Sequence, residues 1–135
     1  MFKQLDDKTL VCGQLRPDQL EEAQRHGVTL IVNNRPDGEE PGQPLSAQIQ
    51  QAAEAAGLEY RSIPISRGIG PADVDAMRDA IHAAGDGKLL AFCRTGTRST
   101  YAWAVAKRQD GADPEELQRC AGQAGYDLGP VRHLL

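Results

Sequence analysis

The chain has 135 residues, of which 40% are hydrophobic and 25% charged, with a formal net charge of −4 and a pI near 5.3. That length suits one domain, 1–135, able to bury a sizeable core without staples. The acidic balance excludes the basic footprint of a nucleic-acid or anionic-membrane partner. No run is long and apolar enough to span a bilayer, and MFKQLDD does not read as a signal peptide, so the cytoplasm is the expected location.

In chain order, Thr9–Gln14 (TLVCGQ) reads as a short strand, and Arg16-Pro17 opens a helix that Gly27 stops. Val28–Asn33 (VTLIVN) is an apolar, β-branched strand. Residues 35–44, RPDGEEPGQP, are too rich in Pro, Gly and acid for regular structure. Leu45–Ala56 reads as helix, Leu58–Ile65 as strand, Ser66–Gly70 as loop and Pro71–Ala84 as helix. Lys88–Cys93 is a nearly all-apolar strand, the pattern of a central buried one. Ser99–Gln109 is helix, a last long helix starts at Asp113-Pro114, and the tail from Tyr126 packs as a short helix. Strands alternating with helices predict an α/β fold, a mostly parallel four- to five-stranded sheet flanked by helices.

The cysteines Cys12, Cys93 and Cys120 are too widely spaced for a disulfide framework or a Cys-x-x-Cys zinc site, and His26, His82 and His133 have no ligand spacing. No metal and no cofactor is expected. One cysteine stands apart. In LLAFCRTGTRSTYAW, residues 89–103, Cys93 ends a strand and is followed by Arg94, Thr95, Gly96, Thr97 and Arg98 before a helix begins. In open α/β sheets, ligands bind beyond the carboxyl ends of the strands. There the amides of residues 94–99 can curl round an anion, Gly96 permits the turn, and the helix start offers unsatisfied donors. The same partial positive charge, with the Arg98 guanidinium, stabilises negative charge on sulfur. The pattern predicts Cys93 as nucleophile and Arg98 as anion clamp. The plain alternative is a small buried core cysteine.

Cys-x-x-Gly-x-Arg-Ser resembles the loop shared in outline by cysteine phosphatases and rhodaneses. Together with IVNNRPDGEEPGQP (31–44), IPIS (63–66) and AFCRTGTRS (91–99), it resembles the bacterial phosphatase-like domain of beta-lactamase-hydrolase-like proteins. That resemblance implies a fold like the dual-specificity protein tyrosine phosphatases and an activity described both as phosphatase-like and as sulfurtransferase. It also implies a functional link to a sulfur-metabolising metallo-hydrolase. By the same resemblance Cys93 attacks, Arg98 clamps, and the Ser99 hydroxyl hydrogen-bonds the sulfur.

Three features depart from the tyrosine-phosphatase pattern. Phe92 stands where histidine is usual, four residues rather than five separate Cys93 from Arg98, and loop 66–70 (SRGIG) carries no acid. A proton donor for a leaving group then has to come from elsewhere: Asp37, with Glu39 and Glu40 beside it, follows the second strand of this reading, while Asp73 suits a helix first turn. Asp37-Gly38 equally suits an ordinary turn. Arg35 and Arg67 are candidate substrate-binding cations. The expected substrate is a small anion: a phosphate ester, thiosulfate or a persulfide. The function read first is a phosphatase-like hydrolase acting through a covalent cysteine intermediate; a rhodanese-type sulfurtransferase and a non-catalytic anion-binding module are the alternatives.

Overall fold

The computed structural model describes residues 1–135. Its sheet has five strands in the order β1-β2-β5-β3-β4. These are β1 (Lys3–Asp6), β2 (Thr9–Cys12), β3 (Val28–Asn33), β4 (Glu59–Ser62) and β5 (Lys88–Phe92). Only β1 runs antiparallel to its neighbour; the others pair in parallel. Strand β5 lies in the middle because its sequence, KLLAF, can be buried on both faces, and four of its five residues are.

Alternation along the strands divides the core. Leu10, Ile31, Leu90 and Phe92 face one side, where they meet Leu20 and Ala23 of α1 (Leu20–Arg25) and Ile49 and Ala53 of α2 (Ser46–Ala55). Val11, Leu30, Val32, Leu89 and Ala91 face the other. There they meet Val74 and Met77 of α3 (Pro71–Ala83), Trp103 and Val105 of α4 (Thr97–Gln109), and Leu117 of α5 (Pro114–Gln123). A 3-10 turn, Pro17–Gln19, leads into α1, and a 3-10 helix, Gly129–Leu134, closes the chain. The fold is α/β with a mostly parallel sheet covered on both faces, as the sequence predicts. No helix is long and apolar enough to cross a membrane.

Besides small shifts at other element ends, three features differ from the sequence reading, each for a local reason. Strand β1 was not expected, because KQLD buries only Leu5 and so carries no readable alternation; a short polar strand suffices at a sheet edge. The ladder of β4 stops at Ser62, after which Ile63 N–H and Ile65 N–H still bond to the Asn33 and Asn34 carbonyls at 2.8 and 3.0 Å. Helix α4 begins at Thr97, two residues before the expected Ser99, because Gly96 takes a left-handed conformation (φ 88°) and serves as its N-cap. That shift puts Arg98 inside the first helical turn.

Candidate active site

Cys93 follows β5 directly and is 1% exposed. Its Sγ accepts a hydrogen bond from the Gly96 N–H at 3.1 Å. The first N–H groups of α4, on Thr97, Arg98 and Ser99, have no intrahelical acceptor, so the partial positive end of a 13-residue helix lies in the same loop. Two glycines make room for this turn. A side chain at Gly96 would collide with the Tyr126 hydroxyl as well as strain the backbone. A Cβ on Gly13, at the end of β2, would come within 2.9 Å of the Arg94 carbonyl oxygen, so glycine there lets the loop rest on the neighbouring strand. Arg94, Thr95 and Gly96 form the turn and Thr97 opens α4; Thr95 and Thr97 share a hydroxyl contact of 2.9 Å.

Arg98 is only 23% exposed in its side chain, and its donors are allocated. Nη1 donates to Glu39 Oε2 at 2.6 Å and to the Ile65 carbonyl at 2.8 Å, while Nη2 donates to Glu39 Oε1 at 2.9 Å. A guanidinium has five N–H donors in a rigid plane. Glu39 therefore takes the end-on edge, and the Nε–H and second Nη2–H, which share the side edge, donate no hydrogen bond within the protein. The nearby Cys93 sulfur adds to the upward shift that Glu39 chiefly imposes on Arg98. Glu39 is held down to about 2, first by its hydrogen bonds to Arg98, with Arg35 helping. It is thus a carboxylate at neutral pH and carries no proton to give.

The sign of its pH effect follows. A carboxyl lowered from 4.5 to about 2 contributes stability that is fully present above pH 4.5 and is lost as pH falls toward 2. Urea unfolding across that window should show a shallower decline for Glu39→Gln than for the parent. Equal slopes would remove this pair from the acid response.

Arg35 is a support, not an exposed substrate cation. It is 4% exposed; Nε donates to Glu39 Oε1 at 2.8 Å, Nη2 to Glu40 Oε1 at 2.8 Å and Nη1 to Gln14 Oε1 at 2.9 Å. The Arg94 guanidinium in turn forms an ion pair with Glu40, Nε lying 2.8 Å from Oε1. Loop 35–40 is thereby bolted across residues 94–98. Two asparagines at the end of β3, its last residue Asn33 and the next, Asn34, complete the support. Asn33 Oδ1 accepts the Arg35 N–H at 2.9 Å, and Asn34 Nδ2 donates to the Ile63 carbonyl at 3.0 Å.

The remaining predicted residues are Ser99, Asp37, Asp73 and Arg67. Ser99 is fully buried, but its hydroxyl donates to Asn34 Oδ1 at 2.8 Å, so its one hydrogen is committed there and not to the Cys93 sulfur. Asp37 is exposed and accepts the Ser46 N–H at the start of α2 at 2.8 Å. Asp73 accepts the Gly70 N–H at 2.9 Å and caps α3. Arg67 is exposed on the loop before α3. Cys12 packs on the α1/α2 side of the sheet, and burial pushes its thiol up to about 12, which leaves it a poor nucleophile. Sequence reasoning passed over Gln14, Asn33, Asn34 and Tyr126. The one signal on offer was Asn33-Asn34, a polar pair ending an apolar parallel strand.

Known proteins are similar to this chain in sequence and in fold. The family described as "Beta-lactamase hydrolase-like protein, phosphatase-like domain" matches residues 1–112. A beta-lactamase hydrolase-like protein of Xylella fastidiosa is 37% identical over 127 residues, covering 93% of this chain. Its Agrobacterium fabrum counterpart is 33% identical over 129 residues, covering 92% of this chain. The chain spans 29% of the length of each of these relatives. Among solved structures, a candidate phosphatase from Neisseria meningitidis is 35% identical and superposes with a TM-score of 0.81, covering 97% of this chain and 93% of that one. With its mostly parallel sheet, its strand-loop-helix around Cys93 and a fold shared with protein tyrosine phosphatases, the chain belongs to the phosphatase-like domain family of beta-lactamase-hydrolase-like proteins.

Proposed function

We propose that residues 1–135 work as one cysteine-dependent phosphatase-like hydrolase. Its substrate is a small phosphate monoester, seated on the amides of residues 94–99 and on the side edge of Arg98. The Cys93 thiolate attacks phosphorus, the bond to the leaving oxygen breaks, and phosphocysteine forms. Water then cleaves the sulfur–phosphorus bond, releasing phosphate and regenerating the thiolate. The observation that carries this reading is the Gly96 N–H aimed at Cys93 Sγ, at the foot of α4 and next to a guanidinium with one edge unassigned. The amides and Arg98 also offset charge on the equatorial oxygens as transfer proceeds. Arg67, exposed on its loop, is the cation proposed to meet the more distant part of a substrate.

No carboxylic acid is poised to protonate the leaving group: Asp37, Asp73, Glu39 and Glu40 all have other partners. General acid catalysis typically contributes about 10²–10⁴-fold. Its loss should be felt most by basic leaving groups. Across a series of aryl phosphates, kcat/KM should therefore rise steeply as the phenol becomes more acidic, while alkyl phosphates turn over poorly. Equal rates across the series would contradict the reading.

The same absence favours a second reading, rhodanese-type sulfur transfer, because sulfite leaves thiosulfate without a proton. In that case the Cys93 thiolate takes the outer sulfur, forms a persulfide and passes it to an acceptor such as cyanide. A functional link to a sulfur-metabolising metallo-hydrolase would go with this reading. Intact-mass measurement of the reacted protein distinguishes the two, by a phosphoryl or a persulfide adduct on Cys93.

A further inference from the structure

The peptide between Thr95 and Gly96 is engaged at both ends. Its N–H donates to Cys93 Sγ at 3.1 Å, and its carbonyl accepts from the Tyr126 hydroxyl at 2.9 Å. The bond is trans, so its C=O and N–H point in opposite directions. A hydroxyl that holds the carbonyl outward therefore holds the N–H inward, toward sulfur. Glycine at 96 gives the backbone freedom to turn this peptide over, which would present the Thr95 oxygen to the sulfur in place of a donor. Something has to select one orientation.

Tyr126 is well placed to do so. Its own N–H bonds to the Ala121 carbonyl at 2.8 Å, which anchors it to the end of α5. The Lys3 ammonium of β1 lies over its ring, 5.0 Å from the centroid. Burial raises Tyr126 above its ordinary value, with Cys93 and Cys12 adding to the rise, so the phenol stays protonated and keeps its hydrogen for the Thr95 carbonyl. The charged and titratable groups around the sulfur are Arg98 of α4 with its partner Glu39, Cys12 at the end of β2, and Tyr126 with Lys3 behind it. None of the others touches the 95–96 peptide by a side-chain hydrogen bond.

We infer that Tyr126 is a positioning residue of the nucleophile: through the Thr95–Gly96 peptide it aims and polarises the N–H that stabilises negative charge on Cys93. A hydrogen bond accepted by the carbonyl makes the N–H of the same peptide a better donor, so the three groups form a short cooperative chain.

The test is the pH profile of Cys93 alkylation by iodoacetamide, with Cys12 and Cys120 replaced by alanine so that one thiol reports. For Tyr126→Phe, the rate on the acid limb should fall about fivefold, the worth of one ordinary hydrogen bond, and converge with the parent at high pH. A fluorinated tyrosine at 126, a stronger donor, should move the limb the opposite way. Near-UV circular dichroism and thermal melting check that each protein is folded. Superimposable profiles for parent, phenylalanine and fluorotyrosine proteins would overturn the inference, even if Tyr126→Phe were less stable. It rests on Cys93 as nucleophile, and the two fail differently: a parent Cys93 inert to alkylation at every pH defeats that assignment, whereas a reactive Cys93 with unmoved profiles defeats only the relay.

Discussion

Cys93→Ser should lower turnover of aryl phosphate or thiosulfate by at least about 10³-fold, because a hydroxyl at this place has no neighbouring base to activate it. The fold should survive. Serine is close in shape to cysteine, and its oxygen can still accept the Gly96 N–H that now reaches sulfur. A urea unfolding midpoint near that of the parent, with loss of any covalent adduct by intact mass, is the expected pair of results. Parental turnover by the serine protein would end the assignment of Cys93.

Arg35→Ala should be the most destabilising of the substitutions considered. The guanidinium is 4% exposed and serves Glu39, Glu40 and Gln14 at once. Removing one partner of a buried ion pair typically costs about 3–5 kcal/mol, since the other charge stays behind. Partial exposure of Glu39 and Glu40 places the expected loss near the lower end, about 3 kcal/mol by urea unfolding. Activity should suffer as well, although Arg35 is held away from the loop amides. With Glu39 less constrained, the Arg98 fork loses its fixed orientation, and KM for the anion should rise more than kcat falls. Arg35→Lys keeps the charge but cannot serve three acceptors in one plane, so it should fall between parent and alanine. An unchanged unfolding midpoint for Arg35→Ala would show that this network carries no stability.

Much of the fold could be read from patterns that act over a few residues. The apolar run before Cys93, the alternation on both sides of it and the proline and glycine punctuation of the helices are all local, and they led to a parallel sheet with the thiol at its carboxyl edge. The resemblance to the family rested on IVNNRPDGEEPGQP (31–44) and IPIS (63–66) together with AFCRTGTRS (91–99). Strand β1 escaped because it buries one residue. The support of the loop escaped for another reason: it joins Gln14, Arg35, Glu39, Glu40, Arg94 and Arg98 across turns whose geometry no short-range rule supplies. Within RPDGEE, sequence could not say which carboxylate faces the arginine. The turn sends Asp37 to the start of α2 and Glu39 to Arg98. The direction of the Ser99 hydrogen depends on Asn34, sixty-five residues earlier in the chain, a partner no local pattern supplies.

The exchange between loop 35–40 and the cysteine loop has a kinetic consequence. Three guanidiniums, Arg35, Arg94 and Arg98, are interleaved with two carboxylates, Glu39 and Glu40, so the cluster projects little net field into solvent. The surrounding molecule carries a net charge of −4. An anion approaching from bulk water is therefore not drawn in from a distance; attraction begins only within a few ångströms, once Nε and the loop amides can be met directly. Encounter with such a site is governed by diffusion and fit, and the association rate should depend weakly on ionic strength. Selection among anions then takes place at contact, by shape and donor geometry, and not by charge felt from afar.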